Sequence, residues 1–115
     1  MSDDAVSPIF CRPTVLTPDE RELSKALRSE LASATREVIE LADGYAFLYP
    51  PRAALFQKAA EWISLERRCC PFLTFELAWG SGDDTPSRLS VTGPIGAKEF
   101  MAAEIPALPK GSLVR

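Results

Sequence analysis

Glu66, Cys69 and Cys70 are the residues whose types and spacing point to chemistry, in the run Glu66-Arg67-Arg68-Cys69-Cys70-Pro71-Phe72. A carboxylate three and four residues before two thiols shares one side of a helix with them. Pro71 ends that helix and starts an extended segment. One carboxylate and two sulfurs therefore converge on one helix end. Thiolates are soft ligands that suit Cu(I), Zn and related ions. Adjacent cysteines diverge by about 100° on a helix, so two of them rarely hold an ion alone. Cys11 supplies a third sulfur if the N-terminal segment folds back. The candidate metal ligands are thus Cys69, Cys70, Cys11 and Glu66, and the expected ligand is a soft metal ion or a thiol-reactive compound.

Two other readings of the same residues stand beside that one. Thiol redox chemistry is favoured by Arg67 and Arg68 next to the sulfurs. It is opposed by the negative end of the helix dipole, which raises thiol pKa, and by the strain of a disulfide between sequence neighbours. In the second reading both cysteines are small buried hydrophobes and Glu66 is a paired structural charge.

The chain has 115 residues, 46% hydrophobic and 25% charged, which fits one globular domain and not two. A net charge of -3 offers no basic field for nucleic acid or anionic lipid. No apolar run approaches the roughly 20 residues that span a bilayer, and Met1-Ser2-Asp3-Asp4 is acidic where a signal peptide is basic. The expected location is cytoplasmic. Three cysteines, an odd number, fit a reducing compartment better than a disulfide framework. The absence of histidine removes Ser-His-Asp and Cys-His nucleophile activation and every histidine metal site. No catalytic residue is assigned, and the chain leans away from being an enzyme.

These residues need elements to position them. A polar arm over residues 1–8 precedes Ile9-Phe10-Cys11, which either docks on the domain or pairs at a sheet edge. Thr17-Pro18-Asp19-Glu20 starts a helix, with threonine as N-cap, proline at the first position and glutamate three residues after the cap. That helix runs to about Ala32, with Leu23, Leu27 and Leu31 as its buried stripe and Ala26 and Ala34 nearby. Thr35–Leu41 and Tyr45–Tyr49 form a hairpin around Asp43-Gly44. A second helix spans about Arg52–Cys70, with Leu55, Ala59, Trp62, Ile63 and Cys70 in one apolar arc and Glu66 in its middle. A carboxylate there needs compensation, from Arg36 or Arg88, protonation, a water-filled pocket or a ligand. Phe72–Trp79 and Arg88–Thr92 make a second hairpin. Gly93-Pro94-Ile95-Gly96 opens a last helix to about Ile105, and a tail covers 106–115.

The order α-β-β-α-β-β-α predicts a two-layer α+β domain over 9–105, a four-stranded antiparallel sheet with helices on one face. Tyr45, Phe47, Tyr49, Phe75 and Trp79 crowd the strands, so a homodimer through the sheet is expected. The glycines ahead of Lys98 are a weak anion-site signal, read as a strand-to-helix turn. Asp83-Asp84 is read as a solvated loop tip.

Two stretches, Glu66–Phe72 and Thr92-Gly93-Pro94-Ile95-Gly96-Ala97-Lys98-Glu99-Phe100, together with Asp43–Phe47, resemble a family of small uncharacterised bacterial proteins bearing E-R-x-C-C-P-F and T-G-P-x-G-x-K-E-F motifs. The resemblance implies Glu66, Cys69 and Cys70 as the residues to test, with a loose association to soft-metal resistance and no activity to carry over. Binding or sensing of a soft metal ion or thiol-reactive compound is the leading expectation. The alternative is a small-ligand-binding or protein-interaction module in which the cysteines pack and Glu66 lines a pocket.

Overall fold

Thr17 starts the first helix as its sequence predicts: its hydroxyl accepts from the Glu20 amide at 3.1 Å, and the Glu20 carboxylate accepts from the Thr17 amide at 2.9 Å. The computed structural model describes residues 11–104, without the side chains of Pro13 and Glu104. The expected arm over 1–8 and tail over 106–115 lie outside that range, as do Ile9, Phe10 and Ile105. After a 3-10 turn at Pro13–Val15 come α1 (Pro18–Ala34), β1 (Glu37–Leu41), β2 (Gly44–Tyr49), α2 (Ala53–Cys69), β3 (Thr74–Trp79), β4 (Ser87–Thr92) and α3 (Ala97–Glu104). The predicted element order holds. Helix α1 runs a half-turn further than expected, and β3 starts two residues later because Pro71 and Phe72 form a turn closed by the Leu73 amide on the Cys70 carbonyl.

The sheet is antiparallel throughout, in the order β1-β2-β4-β3, so the two hairpins join along β2 and β4. Pairings of Tyr45 with Val91, Phe47 with Leu89 and Phe75 with Val91 put these residues on one face. That face packs on Leu27, Leu31, Leu55, Ala59, Trp62, Leu65, Ala97 and Met101 in a single core. All five aromatics that suggested an open, dimer-forming surface therefore point toward the helices: Trp62 meets Phe75 edge-on and Trp79 stacks on Phe56. Alternation places Ile39, Leu41, Ala46 and Leu48 on the other face, beside Glu76, Arg88 and Ser90.

Asp43-Gly44 works differently from the expected turn pair. Ala42 and Asp43 make the turn and Gly44 is already in β2, without a positive φ. Its side chain is excluded for another reason: a Cβ there would lie 1.9 Å from the Val91 carbonyl oxygen. The buried stripe of α1 also differs. Ser24, Leu27 and Leu31 are buried, whereas Leu23 is 39% exposed and Ala26 faces solvent.

Tyr49 anchors the core beneath α1. Burial pushes its phenol up to about 12, against the opposing effect of its hydrogen bond with Thr35. Because the folded value exceeds the unfolded one, this contribution is fully present below about pH 10 and is lost as pH rises toward 12. Tyr49→Phe is expected to cost about 1 kcal/mol at pH 7 through the lost hydrogen bond. In urea unfolding that deficit vanishes near pH 11 and reverses above it, since only the wild type carries the phenol; a pH-independent deficit would contradict this account.

Candidate functional site

Helix α2 stops where Pro71 forbids another turn, and its last carbonyls are left without intrahelical donors. The N-terminal segment supplies them. The Arg12 amide donates to the Cys69 carbonyl at 2.7 Å, and the Arg12 guanidinium donates to the Arg68 carbonyl at 3.2 Å. Arg68 returns the contact, donating to the Val15 carbonyl at 2.9 Å and to the Glu20 carboxylate at 3.1 Å. Leu16 is buried in the core just beyond. Cationic side chains at this helix end also complement its negative dipole. Residues 11–16 are thereby fastened over the end of α2; of the run Ile9-Phe10-Cys11, only Cys11 is among the described residues.

That docking brings Cys11 to Cys70. Their sulfurs lie 3.0 Å apart, closer than the roughly 3.5–4.0 Å at which even non-bonded carbon atoms rest. The Sγ atoms of Cys11, Cys69 and Cys70 all fall within 4.8 Å of one another. The divergence expected of neighbours on a helix is relieved because Cys70 is the C-cap, with φ -121° and ψ 77°. Cys70 is buried, Cys69 half-buried and Cys11 open to solvent.

Glu66 joins this cluster through Cys70, whose thiol donates to Oε2 at 3.5 Å, while the Ser24 hydroxyl donates to Oε1 at 3.3 Å. These two donors are its compensation. The expected arginines are elsewhere: Arg88 donates to Ser90 on the other face of the sheet, and the Arg36 side chain is exposed. Ser24 is the site residue that sequence reasoning missed. Its signal was a serine at the buried period of α1, facing a glutamate at the buried period of α2. The cavity between α1, α2 and the sheet is lined by Leu31, Phe47, Trp62 and Leu89 and holds about 20 Å³, room for one water; Glu66 does not line it.

Electrostatics keep Cys70 and Cys11 protonated. Burial pushes the Cys70 thiol far above its ordinary value, reinforced by its hydrogen bond with Cys11 and by the Glu66 charge. Burial also raises Cys11, with the hydrogen bond to Cys70 acting in the opposite direction. Cys11 and Cys70 therefore rest as neutral thiols.

The glycine-rich turn before α3 takes the bland role. Lys98 donates to Glu40 at 2.5 Å and to the Leu41 carbonyl at 3.0 Å, with its ammonium 5.3 Å from the centre of the Tyr45 ring. The groove beside it carries Asp43 and Glu99, so an anion meets two carboxylates and a lysine already engaged. Asp83 and Asp84 are exposed on the loop between β3 and β4, as expected. No helix among the described residues is long and apolar enough to cross a membrane.

In the reduced protein, alkylation by iodoacetamide is expected to reach Cys11 first and Cys69 more slowly, with Cys70 modified at the rate of unfolding. Peptide mass spectrometry over time measures that order, and fast labelling of Cys70 would contradict the placement. Comparison of the chain with protein-family models, with curated proteins and with solved structures finds no match, so no function is carried over from a relative.

Proposed function

We propose that Cys11, Cys69 and Cys70 bind a soft metal ion or metalloid as three thiolates. The observation that supports this most is the mutual approach of the three sulfurs within 4.8 Å. Thiolates at a metal–sulfur distance of about 2.3 Å sit roughly 4 Å from one another, so Cys69 needs little adjustment. Cys11 withdraws by about 1 Å from Cys70 to reach that spacing, a movement open to a residue on the solvent side. Glu66 orients Cys70 through its hydrogen bond and stands ready as a further oxygen donor. Arg12, Arg67 and Arg68 around the helix end offset the negative charge of the loaded site.

Thiols must lose their protons to bind, and the raised pKa values of Cys11 and Cys70 mean that theirs are present at neutral pH. Affinity therefore rises with pH, because binding releases protons. Titration of the reduced protein with Cd(II), followed by thiolate-to-metal absorbance, is expected to saturate at one ion per chain and to tighten between pH 6 and pH 8. Cys11→Ser, Cys69→Ser and Cys70→Ser each weaken binding strongly, and Glu66→Gln weakens it by roughly 10-fold. Absence of saturable binding, or binding indifferent to all three serine variants, would sink the metal reading.

A second reading, pairing of two copies through the sheet, is favoured by Ile39, Leu41 and Leu48 on the face opposite the helices. Sedimentation equilibrium tests it: a dimer that Leu48→Lys dissociates supports this reading, and a wild-type monomer refutes it.

A further inference from the structure

We infer that Cys11 and Cys70 form a dithiol couple that exchanges with small disulfides such as oxidised glutathione. The sequence argues against a disulfide between Cys69 and Cys70, and the fold supplies a different pair, one sulfur from the docked N-terminal segment and one from the cap of α2. Their sulfurs stand 3.0 Å apart, inside ordinary non-bonded contact. Closing that gap to the roughly 2.05 Å of a disulfide takes about 1 Å of sulfur movement.

Exposure assigns the order of events. Cys11 is open to solvent and Cys70 is 1% exposed, so an incoming disulfide meets Cys11 first. The Cys11 sulfur attacks one sulfur of the small disulfide and expels the other half as a thiol, leaving a mixed disulfide on Cys11. The Cys70 sulfur then attacks Cys11 from within the protein and expels the second half. One Cys11–Cys70 bond forms, the small disulfide is reduced to two thiols, and the protons from Cys11 and Cys70 leave with those thiols. Excess reduced glutathione reverses both steps. The second step is intramolecular and needs no second encounter, so the mixed disulfide is short-lived.

The exchange stands on the sulfur geometry alone. Its consequence for the metal rests on the reading above: a Cys11–Cys70 bond removes two of the three thiolates, so oxidation empties the site and reduction restores it.

The test equilibrates the reduced, metal-free chain with graded mixtures of oxidised and reduced glutathione, quenches it with acid and N-ethylmaleimide, and maps the cysteines by mass spectrometry. The expected product is a Cys11–Cys70 cross-link with Cys69 alkylated, formed as readily in Cys69→Ser. Cys70→Ser is expected to accumulate glutathione on Cys11, and Cys11→Ser to take up glutathione at least 10-fold more slowly than the wild type. Persistent glutathione on wild-type Cys11, a cross-link through Cys69, or no oxidation overturns the couple. Cd(II) titration of both redox forms separates the two readings. Binding in the reduced form alone supports redox control, and equal binding in both forms refutes it. A cross-link without Cd(II) binding in either form confirms the exchange and sinks only the metal reading.

Discussion

The end of α2 needs donors, and much of the arrangement follows from that need. A helix closed by Pro71 exposes carbonyls that carry partial negative charge and have no intrahelical partner. Arg12 satisfies two of them, Arg68 grips the segment from the other side, and Glu20 links that grip to the first turn of α1 through its capping box. The same contacts that complete a helix also deliver Cys11 to Cys70. The sulfur cluster is thus a by-product of capping in the physical sense: remove the donors and the third sulfur leaves with the segment.

A second constraint fixes the rest of the site. Ser24 and Glu66 are polar residues on the facing sides of two helices, where leucines would pack without cost. A half-buried carboxylate without donors is destabilising, so each helix position makes sense only with the other. With Cys70 as the second donor, Glu66 ties α1, α2 and the C-cap together by a short polar chain. Such a chain sets the rotation of α2 about its axis, and with it the direction in which its last residues point.

Much of this was legible beforehand, and what was not has identifiable causes. The Thr17–Glu20 box, the strand alternation and the prolines at 50, 51 and 71 carry local signals that tertiary packing did not overrule, so element order and sheet type followed. Glu66 stood out because its period matched the apolar arc. Its partner did not, since a serine among leucines reads as a small tolerated residue until the opposing helix is known, and arginine was the more obvious counter-charge. The aromatic strand residues misdirected the expectation of an open sticky face because composition cannot say which side of a sheet a residue takes; the register does. Gly44 carried a turn signal, yet its role is the close approach of Val91, a long-range fact that no local pattern contains.

The proposed metal binding and the proposed disulfide exchange draw on the same physical state. Burial and the neighbouring carboxylate hold Cys11 and Cys70 as thiols, and packing them this closely as anions would be repulsive. Only two kinds of event remove the protons without leaving that repulsion: a cation that the thiolates share, or a covalent bond between two of them. Both begin at Cys11, because it is the most exposed of the three cysteines. They then diverge in geometry, since a shared ion pushes Cys11 and Cys70 apart while a bond draws them together. The docked segment therefore sets the balance between the two outcomes: the more tightly Arg12 and Arg68 hold it over the helix end, the more the short contact favours bond formation over a bound ion.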